Sequence, residues 1–115
     1  MAKTVAKILG VVLLLVGILG FTHVLDALGA HLNPAHNLVH IVSGVIALYF
    51  GFAGSLSGAK TFCIIFGLVY LALGVVGLAL GDLNIGPLML GKVDHGIHLI
   101  LGVIFLAGGL FTKNP

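Results

Sequence analysis

Residues 8–25 contain no Lys, Arg, Asp or Glu, and neither do residues 27–59, 61–81 or 95–112. A helix crosses a hydrocarbon core of about 30 Å with about 20 mainly apolar residues. Charge-free windows of this length therefore fit a bilayer better than a water-soluble core. The second window is broken by a polar run at 31–37 that includes Pro34. Spans are expected near 5–25, 37–55, 61–81 and 94–112, the second and fourth being short enough for their ends to lie in the interface. Every backbone polar group in lipid must bond within the protein, which leaves helices or a closed barrel. The period-two alternation of a barrel strand is absent, so the expectation is all-α.

The overall balance agrees. The chain is 60% hydrophobic and 7% charged, with a mean hydropathy of +1.30, whereas a soluble domain carries about 25% charged residues. A net charge of +2 is too small for a nucleic-acid-binding surface. The lone Cys63 forms no internal disulfide and reads as a small packing residue. The first span is expected to be retained rather than cleaved as a signal peptide. Its apolar stretch exceeds the usual ~7–15 residue core, and the obvious cut after "DALGA" would put Leu28 at the −3 position.

Lys3, Lys7, Lys60 and Lys113 fall on one side of a four-span chain and Lys92 alone on the other. The positive-inside rule then places both termini in the cytoplasm of a multi-pass cell-membrane protein. Asp26, Asp82, Asp94 and all six histidines lie toward the outer side.

The chain also repeats itself. "KTVAKILGVVLLLVGILG" from Lys3 aligns with "KTFCIIFGLVYLALGVVG" from Lys60, pairing Lys3 with Lys60, Gly10 with Gly67, Gly17 with Gly74 and Gly20 with Gly77. One residue out of that register, "HIVSGVIALYFG" from His40 aligns with "HLILGVIFLAGG" from His98. Each repeat, 3–58 and 59–115, is a helical hairpin. Two spans per repeat give both the same orientation, related by an axis along the membrane normal. The fold expected is a single domain, 1–115, an all-α integral membrane four-helix bundle built from two parallel-oriented hairpin repeats. Its glycines, 18 in all, serve close helix contact.

Residues three, four, seven and eleven apart share a helix face. His40 lies on a face with Ser43, Gly44, Ala47 and Gly51, and His98 with Gly102, Phe105 and Gly109. Such small-residue stripes mark the approach of a neighbouring helix, so both rings are expected to point into the bundle. His36 and Asp94 stand one turn before them, and His95 lies close by at a different angle. His-x-x-x-His and Asp-x-x-x-His are workable chelates, because side chains four apart meet. His36, His40, Asp94 and His98 are the candidate metal ligands, and His40 and His98 the candidate axial ligands of a haem. The alternatives are a polar clamp of interhelical hydrogen bonds with no cofactor, and a proton-linked role in sensing or transport. Asn33 or Asn37 is a candidate cap for the second span. His23, Asp26 and His31 read as a hydrated rim. No nucleophilic triad, phosphate loop or Cys-x-x-Cys pair occurs, so no catalytic residue and no enzyme activity are expected.

The segments "NPAHNLVHIVSGVIAL", "FGLVYLALGVVGL" and "DHGIHLILGVIFL" resemble a bacterial family of small four-span membrane proteins of unknown function. That family's Asn-x-x-His-x-x-x-Gly and Asp-x-x-x-His-x-x-x-Gly patterns fall on Asn37, His40 and Gly44, and on Asp94, His98 and Gly102. The resemblance implies the four-span fold and no activity. Taken together, the chain reads as a structural or accessory membrane protein with an inward His/Asp cluster; transition-metal or haem binding and proton coupling are the alternatives. Its expected partners are the lipid bilayer and a homo-oligomer or larger membrane complex, with no nucleic acid.

The lysine distribution has a direct test. Cysteine labelling or reporter fusions on intact cells should find Asn84 accessible from outside and Asn114 protected. Labelling of Asn114 from outside would reverse the orientation.

Overall fold

In the computed structural model, which describes residues 1–22, 34–81, 83–85, 88–90 and 92–112, the chain forms four helices and one short β-hairpin. For 83–85, 88–90, 92 and 93 only the backbone is described. The helices are α1 (Ala2–Gly20), α2 (Pro34–Phe52), α3 (Leu56–Leu80) and α4 (Lys92–Leu110). At 1.5 Å per residue, a 19-residue helix such as α1 is about 28 Å long, close to the thickness of a bilayer core. Helices α1, α2 and α3 are long and apolar enough to cross a membrane, and Asp94–Leu110 is a shorter apolar helix.

The chain is an integral helical membrane protein, and its surface is inverted relative to a soluble fold. Large apolar side chains such as Ile8, Leu15, Val45, Leu68 and Ile100 face outward. Glycine, alanine and polar side chains fill the inside: α2 buries His36, Asn37, His40, Ser43, Gly44, Ala47 and Gly51. An aromatic cluster is built on α3 and α4 and reaches α2 through Phe50, which stacks on Phe62 at 5.4 Å. Phe105 is stacked on Tyr70 at 6.1 Å and meets Phe62 edge-on at 5.6 Å.

Each helix starts before the span expected from the charges. Helix α2 begins at Pro34, not after the polar run, because proline is pre-set for the first helical position, where its missing N–H costs nothing. Asn37 is therefore a buried interior residue rather than a cap; Asn33, like His23, Asp26 and His31, lies outside the described residues. Helix α3 begins at Leu56 because Ser55 accepts a hydrogen bond from the Gly58 N–H at 3.0 Å, satisfying an otherwise unpaired donor. It ends at Gly81, whose φ of +89° suits glycine and strains other residues.

The hairpin was not expected. Leu83–Ile85 (β1) pairs antiparallel with Leu88–Leu90 (β2), in the register Leu83 with Leu90, Asn84 with Met89 and Ile85 with Leu88. It satisfies backbone groups in the α3–α4 connection, beside the apolar end of α3, where pairing partners are otherwise scarce.

The main helix pairings are α1 with α2 and α3 with α4, and glycines make both. A Cβ at Gly44 would lie 2.7 Å from the Leu14 nitrogen, and one at Gly10 3.0 Å from the Leu48 nitrogen. In the second hairpin, Gly102 abuts Leu71 and Gly67 abuts Leu106. These are the residues that the sequence repeat aligns. Gly17 against Ile41 and Gly74 against Leu99 follow the same correspondence, as do Gly51 against Lys7 and Gly109 against Ile64. At the lysine end the hairpins are tied together. Thr112 accepts from the Ala2 N–H through Oγ1 at 2.7 Å and from Lys60 Nζ through its carbonyl at 2.9 Å. The Cys63 thiol, also buried, donates to the Ala2 carbonyl at 3.5 Å.

Gly44→Leu should lower stability in detergent by about 1–3 kcal/mol through overpacking. Gly96, where an added Cβ meets nothing within 4 Å, is the control. Gly96→Ala should be neutral or stabilising by up to about 1 kcal/mol, since alanine is the better helix former. Equal unfolding transitions for wild type and Gly44→Leu would show that the α1–α2 approach has slack.

Candidate metal centre

The polar interior collects where α2 and α4 begin. Asn37 rests against Gly20 near the end of α1, and His95 against Gly77 near the end of α3. Two helix N-termini thus stand beside two C-termini, and their partial charges oppose one another. Neither pole alone dictates the sign of a charge held there.

Small-residue stripes put His40 and His98 inside, as their spacing implies. His36, His40 and His98 are 3%, 4% and 3% exposed. The ring centroids of His36 and His40 are 4.2 Å apart, and those of His36 and His98 are 5.8 Å apart. One nitrogen from each of the three rings can be chosen so that all lie within 4.8 Å of one another. The arrangement follows from local geometry: one turn of α2 stacks His36 under His40, and the second hairpin brings His98 up to them. Asp94 is buried one turn before His98 and acts on that ring electrostatically, but it is not part of the close trio.

The hydrogen bonding of these groups is uneven. His40 is buried with neither Nδ1 nor Nε2 hydrogen-bonded, and Nδ1 of His98 also lacks a partner. A neutral imidazole presents one donor and one acceptor, and each buried polar group left unpaired costs about 1–3 kcal/mol. Such a penalty is offset when the ring lone pairs are given to something. His95 also has an unpaired Nδ1, but its other nitrogen is engaged. Its Nε2 lies 2.8 Å from the Gly81 carbonyl. A carbonyl only accepts, so Nε2 carries the proton and donates. This ring ties the end of α3 to the start of α4 and is not one of the close trio.

Tyr70 and Ser43 complete the surroundings. The Tyr70 ring is 5.3 Å from that of His98, and its side chain hydrogen-bonds Ser43. The sequence reading passed over Tyr70, although the signal was present. It lies three residues after Gly67 and four before Gly74, on the inward face of α3.

A family model, Domain of unknown function (DUF4383), matches residues 3–111. The chain belongs to that family. The DUF4383 match takes in nearly all of the four helices and every member of the histidine cluster. No curated protein and no solved structure matches the chain.

His95→Phe keeps the ring's bulk and removes its hydrogen bond. It should cost about 1 kcal/mol of stability, read from unfolding in detergent. An unchanged transition would mean that the Gly81 carbonyl finds another donor at no cost.

Proposed function

We propose that this protein is a small, non-enzymatic membrane protein that holds a first-row transition metal ion on His36, His40 and His98. The observation that carries the reading is His40, a buried imidazole with both nitrogens unpaired in a set of three rings whose nitrogens converge. A clamp that only fixes helix register would join these rings to one another or to neighbouring backbone. His95 does this at Gly81; His40 does not.

The donor set fits the chemistry. Neutral imidazole is a ligand for zinc, copper, iron and nickel. Nitrogens bonded to one ion at 2.0–2.1 Å sit about 3.3–3.6 Å from each other. The observed limit of 4.8 Å therefore requires the rings to draw in by about 1 Å, which small changes in the histidine torsions supply. Three protein ligands leave a position open in a four-coordinate ion, as sites that bind a further molecule do. A haem is not part of the proposal. The glycines beside His40 and His98 are filled by Leu14 and Leu71 of the adjoining helix, leaving no slot for a macrocycle there.

The repeat gives the site its setting. The recurrence of the same glycine contacts in both hairpins supports two copies of one unit related by a pseudo-two-fold axis along the membrane normal. Lys3, Lys7 and Lys60 cluster at the end opposite the histidines. With the positive-inside rule, this favours cytoplasmic termini and a metal centre toward the outer face.

The test is metal analysis of the purified protein after loading with each ion of the manganese-to-zinc series. About one equivalent of at least one ion should be retained, and His40→Ala and His98→Ala should abolish it. Retention should fall on acidification, because protons compete for the imidazole nitrogens. Absence of stoichiometric uptake by the folded wild type would return His40 to a purely structural role.

A further inference from the structure

We propose that a groove between α2 and α3 holds a single acyl chain of a bilayer phospholipid, drawn from the leaflet at the lysine end; this site is separate from the metal centre and does not rest on it. Ile46 and Phe50 form its wall on α2, and Phe62, Ile65 and Phe66 its wall on α3. Its volume is about 350 Å³. Ile46 and Ile65 are 38% and 53% exposed, so the groove opens on the surface that lipid covers.

The two halves of the repeat differ at this junction. Phe50 and Phe62 stack across α2 and α3 with ring centroids 5.4 Å apart. Where α4 meets α1, the corresponding residues are Gly108 and Val5. They touch so closely that a Cβ on Gly108 would lie 2.8 Å from Val5 Cγ2. Glycine against valine lets two backbones close, whereas two stacked rings hold them apart. Gly58 makes room for the wedge, since a Cβ there would lie 3.1 Å from Cε1 of Phe50.

Dimensions select the occupant. A helix about 10–12 Å across fills about 420–610 Å³ per turn, so not even one turn of a partner helix enters the groove. A single hydrocarbon chain is far thinner. From Ser57 to Phe66 the wall on α3 is about 14 Å long at 1.5 Å per residue. One leaflet of a hydrocarbon core about 30 Å thick is about 15 Å deep. An apolar gap left empty forfeits dispersion contacts, and hydrocarbon is the material at hand to fill it. The polar lining agrees. Ser57 and Thr61 also face the groove, and both belong to the first two turns of α3, the end that carries Lys60. A phospholipid chain is polar only at its ester. Hydroxyls at one end and aromatic surface along the rest therefore match a chain entering from the interface.

The experiment reconstitutes the full chain in bilayers of phosphatidylglycerol and phosphatidylethanolamine, extracts it in mild detergent, washes away bulk lipid and reads its mass by native mass spectrometry. The wild type should retain a single phospholipid per chain. Ile46→Trp and Ile65→Trp fill the groove from opposite walls, and each should lose that lipid. Ile104→Trp and Ile8→Trp are the controls: they stand at the corresponding positions of the other hairpin junction, are 40% and 58% exposed, and should retain it. Unfolding in detergent identifies any variant whose loss comes from misfolding. A folded wild type with no retained phospholipid would overturn the proposal. So would retention undiminished in both groove variants, or loss shared equally by the controls. A dimer that Ile46→Trp and Ile65→Trp convert to a monomer would give the groove to a second copy of the chain and overturn the proposal in the same way.

Discussion

Backbone-to-backbone contact through glycine holds this molecule together. In lipid there is no hydrophobic gain from packing one apolar helix on another, so association depends on dispersion contacts and interhelical hydrogen bonds. Both fade steeply with distance. Gly10, Gly17 and Gly44 let α1 and α2 meet where a Cβ would collide, and Gly67, Gly74 and Gly102 do the same for α3 and α4. The polar interior depends on that approach. Asn37 can be buried only because Gly20 leaves a recess for its amide, and His95 only because Gly77 leaves one for its ring. The glycines that close each hairpin therefore also decide where polar side chains can be stored.

Much of this was legible in the sequence. Charge-free windows and glycine spacing give the four helices, and the small-residue stripes give the inward direction of His40 and His98. Helix ends were less legible, for a physical reason. A lysine marks where a chain leaves the lipid, but a helix needs only its own carbonyls to continue beyond that point. Lys3, Lys60 and Lys92 accordingly sit within helices, and Pro34 opens one rather than ending one. The hairpin of three-residue strands is too short for alternation to register, so nothing in the pattern distinguished it from a loop.

The candidate site was partly legible. Helical spacing brings His36 to His40, because both lie on one helix. Whether His98 reaches them depends on the packing of the two hairpins, which no single helix encodes. Asp94 and His95 show the limit of spacing arguments. Both lie near the start of α4 and both are buried. Being consecutive, they point about 100° apart around the helix, and they meet different neighbours. His95 finds the carbonyl that Gly81 presents at the end of α3, and Asp94 stands one helical turn before His98.

Where the two hairpins differ is informative about what the interior is for. The contacts that build each hairpin recur almost position for position, from Gly10 and Leu48 to Gly67 and Leu106. The polar positions do not. Around the histidines, His36 corresponds to Asp94, Asn37 to His95, Ser43 to Leu101 and Leu13 to Tyr70, while His40 matches His98. Two hairpins under packing constraint alone have reason to keep like residues at like positions, where the recesses that receive them are alike. Gly20 and Gly77 offer equivalent recesses, yet one receives an amide and the other an imidazole. The scaffold is repeated and its contents are not. The asymmetry places three imidazoles together, with one carboxylate near them and a tyrosine against the third ring. Packing alone does not call for that combination of groups, and it is on this difference between the two hairpins that the proposed metal site rests.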